Sequence, residues 1–190
     1  MAYLSEKDLR KTGFKRIGKN VKISDKASIY NPEKIEIGDN SRIDDFCVIS
    51  GKVSLGRNVH IAPFCLVAGG DLGIEMDDFS GLAYGVHIFS QSDDYSGKTM
   101  TNPTVASKYK SEFKKEVLVE KHCIVGAGSI VMPGVVLREG TSVGAKSLVR
   151  KSTDEWCIYN GTPAKKLKSR SRNIIDLEKK LLEDEKNHSI

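Results

Sequence analysis

The sequence predicts an all-β solenoid, a parallel β-helix of six-residue repeats with one long inserted loop and short terminal helices. Three observations carry this. Stepping by six from Ile37 meets Ile37, Ile43, Ile49, Leu55, Ile61 and Val67, and stepping by six from Val119 meets Val119, Val125, Val131, Leu137, Val143 and Val149. The position four beyond an aliphatic is small or β-branched, as at Ser41, Cys47, Val53, Val59, Cys65, Ser80, Val86, Cys123, Ser129, Val135, Thr141 and Ser147. Residues two apart on a strand share a face, so this small residue and the next aliphatic both point inward, and each hexad is a short strand plus a turn. A period of six is too short for a helical repeat. Finally, 190 residues of which 39% are hydrophobic and 29% charged describe one globular domain with a real core.

Taken in order, residues 1–16 read as a helical cap in which Ser5 and Asp8 suggest a capping box and Gly13 closes the helix. The β-helix occupies 17–163. Its first-strand aliphatics fall at 17, 37, 55, 76, 119 and 137, in steps of 20, 18, 21, 43 and 18 against a three-strand coil of 18 residues. The three extra residues before Met76 fall near Gly69-Gly70, where a bulged turn meets no steric penalty. The step of 43 is one coil plus a loop inserted at about 90–116, and loops of that length in compact domains are usually functional or disordered. Residues 164–190 form a basic segment, with Lys165, Lys166, Lys168, Arg170 and Arg172, and then a helix. Its apolar stripe is Ile174, Leu177 and Leu181 with Ile175 and Leu182. Both helices are expected to blunt open ends of the solenoid.

Thirty Lys and Arg against 25 Asp and Glu give a net charge of +5. That suits an anionic ligand, falls short of a nucleic-acid footprint, and the basic segment lacks interleaved aromatics. No apolar run approaches the ~20 residues of a membrane span. The start, Met1-Ala2-Tyr3-Leu4-Ser5-Glu6-Lys7-Asp8, mixes charges where a secretory signal is apolar, so the expectation is a cytoplasmic protein. Cys47, Cys65 and Cys123 take the small inward position and read as reduced core residues; with Cys157 they make no Cys-x-x-Cys, and no metal is expected.

The segments Val125-Gly126-Ala127-Gly128-Ser129-Ile130-Val131-Met132-Pro133-Gly134-Val135 and Val143-Gly144-Ala145-Lys146-Ser147-Leu148-Val149 resemble the acetyl-CoA-binding coils of the hexapeptide-repeat acyltransferases. Gly161-Thr162-Pro163-Ala164-Lys165-Lys166 resembles that family's closing signature, and the likeness runs from about Ile17 to Arg172. Ser90-Gln91-Ser92-Asp93-Asp94-Tyr95-Ser96-Gly97 and Thr101-Asn102-Pro103-Thr104-Val105 are similar to a subgroup that O-acetylates cell-surface polysaccharide sugars. The resemblance implies a left-handed coil, a homotrimer with active sites between subunits, and acetyl-CoA as co-substrate. It further implies a sugar or nucleotide-sugar acceptor whose hydroxyl attacks the thioester directly with a histidine base, in lipopolysaccharide or capsule biosynthesis. Gly126, Ala127 and Ala145 would line the pantetheine arm, with Lys151, Lys165 and Arg170 near the CoA phosphates. The alternative is N-acetylation of a nucleotide-linked amino sugar. From other classes stand a non-catalytic β-helix scaffold and a γ-type carbonic anhydrase, whose His-x-x-x-x-His pair is absent here.

The base must be argued separately. Galactoside and maltose acetyltransferases carry their histidine five residues beyond a third-strand aliphatic, and here that place, five after Ile88, holds Asp93. His188 lies in the polar tail and reads as surface; His122, three beyond Val119, reads as a solvated turn residue. His60 and His87 each precede an inward aliphatic and should point out from a flat face. The column of His60 contains Arg42, Gly81, Ile124 and Ser142, which is mixed and roomy. Val59-His60-Ile61-Ala62-Pro63 also resembles family members that use a histidine near the thioester. His87 sits among Val48, Leu66, Ile130 and Leu148, an apolar column expected to be covered by another subunit or the terminal helix. We therefore expect His60 as the base, since an ordinary histidine pKa of ~6.5 suits the task. Asp93 or Asp94 would orient it from across a subunit boundary, His87 is the second candidate, and Asp93 is the base where neither histidine serves.

Overall fold

The computed structural model describes residues 2–187. Six coils stack so that each aliphatic of one coil lies on its counterpart in the next. The first face stacks Ile17, Ile37, Leu55, Met76, Val119 and Leu137. The second stacks Ile23, Ile43, Ile61, Leu82, Val125 and Val143, and the third Ile29, Ile49, Val67, Ile88, Val131 and Val149. All these pairings are parallel. A partial seventh coil adds Cys157–Asn160 to the second face and folds back antiparallel as Lys165–Ser169.

Sixteen of these eighteen side chains are at most 2% exposed, and each contributes a gross ~1.5–3 kcal/mol by leaving water. The hexad is therefore a thermodynamic pattern. The small inward position has a further reason: Ser41 Oγ donates to the Gly56 carbonyl at 2.8 Å and accepts from Val59 N–H at 3.0 Å. Ser129 does the same between the Gly144 carbonyl and the Ser147 N–H. Buried hydroxyls thus stitch coil to coil with their hydrogen bonds satisfied. Burial pushes the Cys123 thiol in this column up to about 12, in keeping with an inert core residue.

The departures from 18 residues are absorbed at edges. A 3-10 turn at Pro32–Lys34 takes up the lengthened first step. Gly73 N–H closes a bulge on the Gly69 carbonyl at 2.8 Å, and a Cβ on Gly69 would lie 1.9 Å from the Lys52 carbonyl oxygen. The insertion is more ordered than a loop: Gln91–Asp93 pairs antiparallel with Glu112–Lys114, making an arm at the edge between third and first faces.

Helix α1, Glu6–Thr12, begins at Ser5 and ends at Gly13 with φ 81, and Leu9 plugs the first coil. Helix α2, Ile174–Lys186, corrects the expectation of an end cap. It runs back along the edge between first and second faces, where Glu178 pairs with Lys121 and His122 and Glu185 pairs with Arg57. Its acidic side chains meet that basic edge, so the helix lies lengthwise. His188 lies outside the described residues. Among the described residues no helix is long and apolar enough to cross a membrane.

Candidate active site

The second face carries a charged cluster across its second and third coils. Arg42 and His60 are neighbours in register on adjacent strands and point outward. Asp44 sits where the other coils place Ser24, Ala62, Ala83, Gly126 and Gly144, and its carboxylate is 2% exposed. Both His60 Nε2 and Arg42 Nη2 reach Asp44 Oδ2, each at 2.8 Å. The 3.1 Å between the two nitrogens follows from the shared acceptor. An acceptor-only carboxylate assigns the proton to Nε2 and leaves the lone pair on Nδ1. The bond to Asp44 raises the pKa of the Arg42 guanidinium, so that cation is permanent. The outcome is a histidine, 46% exposed, oriented by a buried carboxylate from its own chain. Asp44, not among the residues expected from sequence, takes that place within the chain; the expected partner, Asp93 or Asp94, would come from a second copy.

The other candidates lie elsewhere on the prism. His87 is exposed on the third face beside half-buried Leu66 and Ile130. Helix α2 does not cover that column; it overhangs the second face, where Ile174, Leu177 and Leu181 share a cleft with His60, Gly81 and Ile124. Asp93 and Asp94 belong to the inserted arm. The Asp94 carboxylate accepts from Ser96 N–H and Thr99 Oγ, and the Ser96 bonds hold it below the usual carboxylate range. Asp93 accepts from Asn102 N–H at 3.2 Å. The arm springs from the edge opposite the second face, so within one chain neither aspartate meets His60.

His122 corrects the solvated-turn reading. It is 6% exposed, stacks on Phe79 with 5.6 Å between centroids, lies 6.0 Å from the Trp156 ring, and bonds Glu178 Oε2 at 2.9 Å. Turn position and aromatic neighbours make it the seat of helix α2. The residues matched to CoA contacts are also spread out. Gly126, Ala127 and Ala145 form a small-residue track on the edge between second and third faces, and Lys165, which pairs with Asn160 in the last coil, shares that edge. Lys151 lies at the edge between third and first faces. Arg170 Nη1 donates to the carbonyls of His122 and Gly140, which commits this group to closing the turns under α2.

At turns of the edge between second and third faces, the N–H groups of Ala83, Gly85, Gly126 and Gly128 bond neighbouring coils. The intervening Tyr84 and Ala127 sit at the outer corner of the same turns. An exposed imidazole held by a buried carboxylate, near a track of small residues, is an arrangement that acyl transfer can use. Fold and site together define a β-helix acyltransferase.

Comparison with known proteins agrees. Residues 34–69 match the family described as bacterial transferase hexapeptide (six repeats). The chain is 42% identical over 180 residues, 94% of each sequence, to the dTDP-4-amino-4,6-dideoxy-D-glucose acyltransferase of Escherichia coli. It superposes with a TM-score of 0.95 and 46% identity on AntD, an N-acyltransferase from Bacillus cereus solved with dTDP and 3-hydroxybutyryl-CoA, covering 97% of this chain and 98% of that one. The likeness to the galactoside O-acetyltransferase of Lactococcus lactis, 36% identity, spans only 34% of this chain. The chain belongs to the hexapeptide-repeat acyltransferase family.

Proposed function

We propose that this protein transfers an acyl group from acyl-CoA to the amine of a nucleotide-linked 4-amino-4,6-dideoxy sugar. One observation carries the reading: the likeness to relatives named for that chemistry runs through the whole chain, inserted arm included. O-acetylation, the first expectation from sequence, is supported only by a partial match, and the N-acyl alternative replaces it.

The chemistry fits the residues present. An unprotonated amine attacks the thioester carbonyl with its own lone pair, whereas a hydroxyl must lose its proton as the bond forms. The amine nitrogen bonds the carbonyl carbon, and the resulting oxyanion takes hydrogen bonds from turn amides such as those of Tyr84 and Ala127. The new ammonium passes one proton to His60 Nδ1, the C–S bond breaks, and the proton returns to the departing CoA thiolate. Asp44 supports the imidazolium formed in between. The track Gly126, Ala127 and Ala145, with Lys165 on the same edge, would hold the pantetheine arm. A trimer would let the arm bearing Asp93 of one copy face the second face of another.

The test is direct. Incubation with acetyl-CoA and dTDP-4-amino-4,6-dideoxyglucose should release free thiol and add one acetyl mass to the sugar nucleotide, and the 4-hydroxy counterpart should be inert. Acetylation of the hydroxyl sugar with the amine left untouched would overturn the proposal.

A further inference from the structure

We infer that the stacked pair Phe46 and Phe64 is a docking platform for the nucleobase of the acceptor, at the edge between second and third faces. The inference rests on the acceptor being nucleotide-linked, and it adds where the base is held. Both residues occupy left-handed turn positions, φ 60 and 65, which suit Asn or Gly and are unfavourable for a bulky side chain. The equivalent turns of the neighbouring edge do use Asn20, Asn40 and Asn58. Where that edge changes to Phe79, His122 and Trp156, helix α2 lies beside the aromatics, and His122 and Trp156 are buried. Phe46 and Phe64 have no such cover. They are 51% and 60% exposed, with centroids 5.1 Å apart and planes within 18°.

The ladder they begin stops short. Lys26 lies over the outer face of Phe46, 5.6 Å from its centroid. On the other side of Phe64 the next rung is Gly85, φ 65, where an added Cβ would meet nothing within 4 Å. A free ring face next to an empty rung has the shape to accept one more planar ring at stacking distance, and stacking on an aromatic side chain is a common way for proteins to hold a base. The adjoining second face presents Lys22, Arg42 and His60 in register in three successive coils. Lys22 and Arg42 are cationic donors that complement a diphosphate, and the row leads from the platform to the candidate base, His60.

Calorimetric titration of the full chain with dTDP, and separately with CoA, tests this. Phe64→Leu removes the ring face. Gly85→Asn fills the rung with a residue that tolerates left-handed backbone, so it keeps the fold if the leucine variant does not. Each should weaken dTDP about ten-fold or more, the scale of one base–aromatic stack, while CoA affinity stays within two-fold and assembly size is unchanged. If the wild type binds dTDP and both variants bind it equally well, the platform is wrong and the acceptor proposal stands. If the wild type neither binds dTDP nor acylates the dTDP-linked amine, the acceptor proposal itself fails and takes the platform with it. Loss of CoA affinity, or dissociation into smaller species, would assign the slot to the thioester arm or to a second copy and overturn the inference.

Discussion

Replacing Asp44 with Asn tests the site most sharply, because it removes one charge while preserving shape. In the native chain the carboxylate oxygen lies 2.8 Å from His60 Nε2, and Asp44 is buried while His60 is about half-exposed. Two unit charges about 4 Å apart interact by ~1 kcal/mol in water and ~4 kcal/mol at the effective dielectric near a protein surface. A site with one partner buried falls between these, so the imidazolium that forms during acyl transfer loses about 2–3 kcal/mol, or ~10²-fold in kcat. The nearby Arg42 cation acts in the same direction once its counter-charge is gone. Stability should suffer less. The Arg42 side chain is 43% exposed and water can replace its partner, so the cost stays below about 2 kcal/mol and Tm falls by under ~8 °C for a domain of this size. The assay is steady-state release of free CoA thiol together with a melting curve. Because Asp44 is argued to act through His60, the double variant Asp44→Asn with His60→Ala should be no slower than His60→Ala alone. A folded Asp44→Asn protein with kcat within three-fold of wild type would refute the assignment of His60 as base.

Four further outcomes are expected. Burial alone raises the Glu178 carboxyl, but its bonds to Lys121 and His122 hold it below the ordinary value; a lowered folded pKa contributes stability that is present above the unfolded value of ~4.3 and lost as pH falls through the folded one. The Tm gap between wild type and Glu178→Gln should therefore be wide near pH 6 and close below about pH 4. Lys165→Ala should raise KM for acyl-CoA several-fold with kcat nearly unchanged. Arg170→Ala, which strips donors from buried carbonyls, should instead lower Tm by several degrees. Light scattering should find three copies per particle, and a fully active single chain of 20.9 kDa would remove any role for Asp93 from a second copy.

What the sequence made legible, and what it did not, follows from how each feature is encoded. The faces were readable because one inward aliphatic recurs every six residues, and a register slip would expose a whole column. Ile37, Leu55 and Met76 accordingly stack as their spacing demands. Edges are harder, since a turn position tolerates a solvated polar residue as readily as a buried aromatic. His122 looked solvated when judged alone. Compared coil by coil, its position runs Asn20, Asn40, Asn58, Phe79, His122, Gly140, Trp156, and the change from Asn to aromatic marks where helix α2 docks. Gly140 belongs to the same account, for a Cβ there would strike the Trp156 ring at 2.4 Å. The signal for Asp44 was of this kind too: a carboxylate in a column otherwise filled by Ser, Ala and Gly. A residue that breaks its column without harming the fold has been placed there by something other than the solenoid. In this chain the clearest such breaks are Asp44, Phe46, Phe64 and the Phe79–His122–Trp156 series. The last serves a helix of the chain itself. Asp44 fixes the exposed His60, and Phe46 and Phe64 lie uncovered on the edge beside it, where the substrates must meet if the proposed chemistry holds.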